Sequence, residues 1–70
     1  MTLHWTSVFS KSVLVWRAES HANKYTVMLG TLLYIDPCGY RAHYDCGTDE
    51  EAKVLANKIN NDKIGIGESE

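Results

Sequence analysis

Apolar and polar positions alternate along most of the chain as far as Asp45, and then the rhythm changes. From Thr48 to Asn61 the apolar residues Ala52, Leu55, Ala56 and Ile59 recur at i, i+3, i+4 and i+7. That is the stripe of a helix with about 3.6 residues per turn. Thr48 can accept a hydrogen bond from the free amides of the first turn, and Glu51 can reach back to it. Asp49, Glu50 and Glu51 place negative charge at the positive end of the helix dipole, and Lys58 stands near the other end. So narrow a stripe does not hold a helix alone, so this helix needs a surface to cover.

The preceding residues predict that surface as a β-sheet. Leu3 to Phe9 alternates, with Leu3, Trp5 and Phe9 on one side, and reads either as a short strand or as an extended lead-in that tucks Trp5 under the fold. Val13 to Glu19 is a strand rich in β-branched and aromatic residues. Ser20 to Lys24 reads as a loop, with Asn23 suited to a left-handed turn position. Tyr25 to Ile35 alternates with Gly30 in its middle, marking either a bulge in one long bent strand or a tight turn between two, with the bulge favoured. Asp36-Pro37-Cys38-Gly39 has the residues of a type I turn. Tyr40 to Asp45 is the returning strand. The expected fold is α+β: a three- to four-stranded antiparallel meander with one C-terminal helix packed on one face. Residues 1–61 form one small domain, followed by a flexible acidic tail over 62–70.

Side chains alternate across a strand, so the two faces can be sorted. Leu14, Trp16, Ala18, Tyr25, Val27, Leu29, Leu33, Ile35, Tyr40, Ala42 and Tyr44 form a nearly uniform apolar and aromatic set, expected under the helix. Val13, Val15, Arg17, Thr26, Met28, Leu32, Tyr34, Arg41, His43 and Asp45 form the other face. One helix covers one face, so the second set is expected to meet solvent or a partner. Tyr, Met and Arg are the types enriched at interface centres. Arg17, Met28, Tyr34, Arg41 and His43 are therefore the candidate partner-binding residues.

Composition narrows the function classes. Seventy residues lie near the lower limit for a self-sufficient core, and a hydrophobic content of 44% argues against disorder. A net charge of −2 is unlike a nucleic-acid binder, although Arg17, Tyr34, Arg41 and His43 on an open sheet keep that as the alternative. No apolar run approaches the roughly 20 residues of a membrane span, and no leader pattern opens the chain, so a cytoplasmic protein without membrane partners is expected.

Cys38 and Cys46 flank the last strand, about 25 Å apart at about 3.3 Å per residue, and are expected as free thiols. Cys46, just before the helix, is the more reactive-looking of the two. Cys38, His43 and Cys46 match no common zinc spacing, no triad-like pattern is visible, and the glycines build no phosphate loop. Neither enzymatic activity, cofactor, metal nor small-molecule substrate is expected.

Trp5, Trp16-Arg17-Ala18, Tyr25-Thr26-Val27, Gly39 to Tyr44 and Thr48 to Lys53 follow one another in an order that resembles the short β-strand-then-helix proteins encoded by phages and prophages. The resemblance runs from about Leu3 to Ile59 and rests on fold-determining positions. It implies a small cytoplasmic protein made during infection that binds a host protein, with inhibition as one consequence of binding. Inhibitors of bacterial defence systems, anti-CRISPR proteins among them, are one such class. No individual residue role is carried over. The expected function is thus a non-enzymatic protein-interaction module working through the open sheet face, with a host protein or a second copy of the chain as partner.

Overall fold

The computed structural model describes residues 3–64. Five strands, β1 (Thr6–Ser10), β2 (Val13–Ser20), β3 (Asn23–Met28), β4 (Thr31–Ile35) and β5 (Arg41–Asp45), lie in the order β1-β2-β3-β4-β5, followed by the helix α1 (Asp49–Ile64). Every neighbouring pair is antiparallel. The α+β class and the meander are as expected, but the strands number five rather than three or four.

The extra strands come from two-residue turns that carry no Asn-Gly signature. Lys11-Ser12, His21-Ala22 and Leu29-Gly30 each place both residues at positive φ, between 51° and 74°. This is the type I′ geometry whose twist matches that of the strands it joins. Lys11-Ser12 makes β1 a paired strand rather than a lead-in, while Leu3 to Trp5 form the lead-in, with Leu3 buried in the core. His21-Ala22 takes the left-handed positions expected around Asn23, which instead opens β3 and is buried. Gly30 is a turn and not a bulge. The β4–β5 connection keeps the expected turn: Gly39 N donates to the Asp36 carbonyl at 3.0 Å, and Asp36 Oδ1 accepts from the amides of Cys38 and Tyr40 at 3.0 and 2.8 Å.

The helix begins as its sequence predicts. Thr48 Oγ1 accepts from the Glu51 amide at 3.2 Å, and the Thr48 carbonyl receives the first helical bond from Ala52 N at 3.0 Å. It runs three residues beyond the expected end at Asn61, because nothing in Asn61 to Ile64 breaks a helix before Gly65. The remainder of the expected tail, 65–70, lies outside the described residues. α1 packs mainly over β4 and β3. Its innermost line is Ala52, Ala56 and Asn60, all fully buried, while Leu55 and Ile59 pack at the flank. The two small alanines let the helix backbone approach Val27 and Leu32, both fully buried on the sheet. Lys53 Nζ stands 3.3 Å from the centroid of the Trp16 ring, which ties the helix to β2 by a cation–π contact.

Helix and sheet are locked together at Gly30. Its amide donates to Asp49 Oδ1 at 2.8 Å, and its carbonyl accepts from Cys46 N at 2.8 Å. A Cβ on Gly30 would stand 2.5 Å from the carbonyl oxygen of Gly47.

Two substitutions test the turns. Gly30→Ala combines the left-handed backbone with this backbone clash, and is expected to lose about 2–4 kcal/mol of stability. Ala22→Gly removes the left-handed penalty and is expected to gain about 0.5–1 kcal/mol, roughly 2–8 °C in Tm for a domain this small. Urea and thermal denaturation followed by circular dichroism read both. An unchanged Gly30→Ala protein would contradict the locked junction.

Candidate interaction face

Cross-strand partners share a face, so the register lays out the side of the sheet away from the helix row by row. One row holds Glu19, Lys24, Ile35 and Arg41, the next Thr6, Arg17, Thr26, Leu33 and His43, and a third contains Val8 and Val15, with Met28, Thr31 and Asp45 continuing it. Four of the five expected residues, Arg17, Met28, Arg41 and His43, therefore stand on this face, and all four are exposed.

Tyr34 does not. It pairs with Tyr25 and Ala42, lies under the helix and is only 1% exposed. The physical reason is the Gly30 turn. Met28 and Thr31 flank a two-residue turn and share a face, so side-chain parity reverses between β3 and β4. Leu32 and Tyr34 move under the helix, and Leu33 and Ile35, expected in the core, move to the other face. Leu29, also expected under the helix, sits in the turn at 74% exposure, and Tyr40 lies exposed outside the strands.

The face carries two depressions. Val15 on β2 is 6% exposed, although among the described residues no element lies over it. An open depression of about 600 Å³ is lined in part by His4, Thr6, Arg17, Glu19, Lys24, Thr26 and Ile35. A smaller one of about 200 Å³, lined by Met28, Thr31, Leu33 and His43 among others, adjoins it at Thr26. Lys24 and Glu19 face each other across β2 and β3. Lys24 was not legible as part of the face, because it read as loop until the His21-Ala22 turn set its register; Glu19 follows Arg17 by two in the expected strand and shares its face by alternation. Arg17, Lys24 and Arg41 outnumber Glu19 and Asp45 here, whereas the outer side of the helix exposes Glu50, Glu51 and Asp62 beside Lys58. Among the described residues no Phe, Tyr or Trp stands on this face.

The opposite face is closed by a tyrosine pair. The rings of Tyr25 and Tyr34 lie 5.3 Å apart; Tyr34 Oη donates to Asn23 Oδ1 at 3.0 Å and Tyr25 Oη to Asn60 Oδ1 at 3.3 Å. Burial, reinforced by Tyr34, pushes the Tyr25 hydroxyl up from 10 to about 12. Asn60 was missed as an inward residue because it is polar; its position four residues after Ala56 was the available signal.

Cys46 is half-buried and its Sγ donates to the Tyr44 carbonyl at 3.7 Å. Burial, then the negative charges of Asp45 and Glu51, push its thiol above the usual range. The direction is opposite to the lowering that a position just before a helix favours, and burial is the larger of its causes. Cys38 is exposed in the β4–β5 turn, at the opposite end of β5. Among the described residues no three His, Cys, Asp or Glu side chains gather to hold a metal ion, and no helix is long and apolar enough to cross a membrane.

By its architecture the chain is an α+β domain, a five-stranded antiparallel meander backed by one helix. Comparison with protein-family models, curated proteins and solved structures found no match in any of the three.

Two measurements follow from these side chains. Tyr25 ionises more readily unfolded than folded, so its stabilisation is complete below about pH 10 and is lost as pH rises towards 12, about 2–3 kcal/mol in all. Urea midpoints between pH 9 and 12 should fall accordingly, and fall less steeply in Tyr25→Phe. With iodoacetamide at neutral pH, mass spectrometry should find Cys38 alkylated well before Cys46; the reverse order would contradict the environment given to Cys46.

Proposed function

We propose that the protein is a non-enzymatic interaction module that docks the open face of its sheet onto a protein partner. The observation that carries this reading is the uncovered face itself. It combines a depression of about 600 Å³, lined by Arg17, Lys24, Glu19 and Ile35 among others, with a smaller one lined by Met28, Leu33 and His43 among others. Arg17, Arg41 and His43 would supply directional polar contacts around Met28, Leu33 and Ile35, which supply apolar area. The excess of cations over carboxylates favours a partner that presents an acidic surface around an apolar centre. The likeness to phage-encoded strand-then-helix proteins makes a host protein the favoured partner, with inhibition as the consequence of docking.

Nucleic-acid binding draws on the same arginines, but a single-strand platform needs stacking rings. Tyr34, the ring available for that role from the sequence, lies under the helix. Protein binding is therefore the better-supported of the two.

The test is a paired substitution, Arg17→Ala with His43→Ala. Both side chains are exposed and neither belongs to the core. Binding to a partner isolated with the wild-type chain should weaken about tenfold or more, with Tm essentially unchanged. Equal binding by the variant would remove this face from consideration. Retention of single-stranded DNA or RNA that declines steeply with salt would favour the nucleic-acid role instead.

A further inference from the structure

The sheet has two edges, and they are built differently. β5 presents Arg41, His43 and Asp45, charged or titratable residues of the kind that discourage strand addition. β1 is Thr-Ser-Val-Phe-Ser, with no charge and no proline, and all five residues are exposed. Its backbone is open in a defined way. Ser10 and Val13 flank a two-residue turn and so form a hydrogen-bonded pair, as do Val8 with Val15 and Thr6 with Arg17 two steps apart. The amides and carbonyls of Thr6, Val8 and Ser10 are thus used by β2, and those of Ser7 and Phe9 point away from the sheet.

Phe9 supplies the second observation. It lies on the helix side of the sheet, opposite Leu14, yet α1 covers β3 and β4 and leaves Phe9 76% exposed. Its neighbour two residues back on the same face, Ser7, is small and stands opposite Trp16.

We propose that β1 is a self-pairing edge, and that two copies of the chain join antiparallel through it about a twofold axis at Val8 into one ten-stranded sheet. In that register Val8 faces Val8 of the partner subunit, Ser7 faces the partner's Phe9, and Phe9 faces the partner's Ser7. Each Ser7–Phe9 pair exchanges two backbone hydrogen bonds, so every outward amide and carbonyl of both residues is satisfied. Each Phe9 ring is laid over the small Ser7 of the other copy, in the row that continues to Trp16. The arrangement is self-complementary, as a twofold interface requires. Its strands are short, which places the dimer at the small end of stable interfaces, with dissociation in the micromolar range. It uses none of Arg17, Met28, Arg41 or His43, so the paired Arg17 and His43 substitutions leave dimerisation intact, and the two surfaces fail or stand independently.

The test is sedimentation equilibrium of the full chain across the micromolar range, with Val8→Lys and Val8→Glu as variants. Wild type should reach twice the chain mass. Each variant sets like charges face to face across the axis and should dimerise about tenfold or more weakly. An equimolar mixture of the two should recover a heterodimer, because opposite charges then meet at the axis only in the mixed pair. Because 47% of Val8 is already exposed, both variants retain the core. Hydrogen exchange of the wild type provides a reading that needs no substitution: Ser7 and Phe9 amides should become protected as concentration rises. A wild type that stays monomeric, a dimer indifferent to either charge, or Ser7 and Phe9 amides exchanging at the same rate at every concentration would each overturn the proposal.

Discussion

The close approach at Gly30 holds this small fold together. Its carbonyl receives the Cys46 amide, its own amide reaches Asp49, and its missing side chain makes room for the Gly47 carbonyl. One residue thereby joins the β3–β4 turn, the end of β5 and the first turn of the helix. Thr48 and Asp49 divide the labour at that terminus: Thr48 caps the helix internally, while Asp49 directs its carboxylate outward to the turn. From this point the helix runs over β4 and β3, burying Ala52 and Ala56 in one cluster with Val27 and Leu32 and bringing Asn60 to the Tyr25 hydroxyl.

That junction also decides which residues the protein shows to its surroundings. A two-residue turn keeps its flanking residues on the same face, and everything after it takes the opposite parity. Tyr25 and Tyr34 become neighbours beneath the helix because Leu29-Gly30 is such a turn. The same reversal takes Tyr34 off the other face, which among the described residues then holds no Phe, Tyr or Trp. A surface of that kind suits a folded protein partner with complementary charge better than it suits unstacked bases.

Among the described residues one helix lies on a sheet five strands wide. The helix sits over β3 and β4, and what it leaves bare is informative: the whole open face, and the β1 margin with Phe9. Five non-glycine residues held at positive φ in the turns add strain to a core that is already small. Burial supplied by a second chain, at the edge or on the open face, would offset both shortfalls. The two surfaces are chemically distinct: the edge is uncharged and self-complementary, the face is charged and is not.

Much of this was written in local patterns. The helix start at Thr48, its acidic first turn, the Asp36 turn, β2, and the placement of Arg17, Met28, Arg41 and His43 away from the helix all follow from periodicity and capping chemistry, which act between residues close in the chain. Local signals failed where the outcome depended on partners distant in sequence. Lys11, Ser12 and Ala22 carry no left-handed preference and adopt that backbone because the pairing of β1 with β2 and of β2 with β3 requires it. Gly30 is compatible with a bulge or a turn, and only the approach of Gly47 and Asp49 selects the turn. Tyr34 and Leu33 changed faces for that reason alone. By itself the sequence determined the elements and their capping, because these rest on neighbours along the chain; the tertiary structure decided strand parity, and with it the composition of both faces, because parity is settled by what packs against each turn.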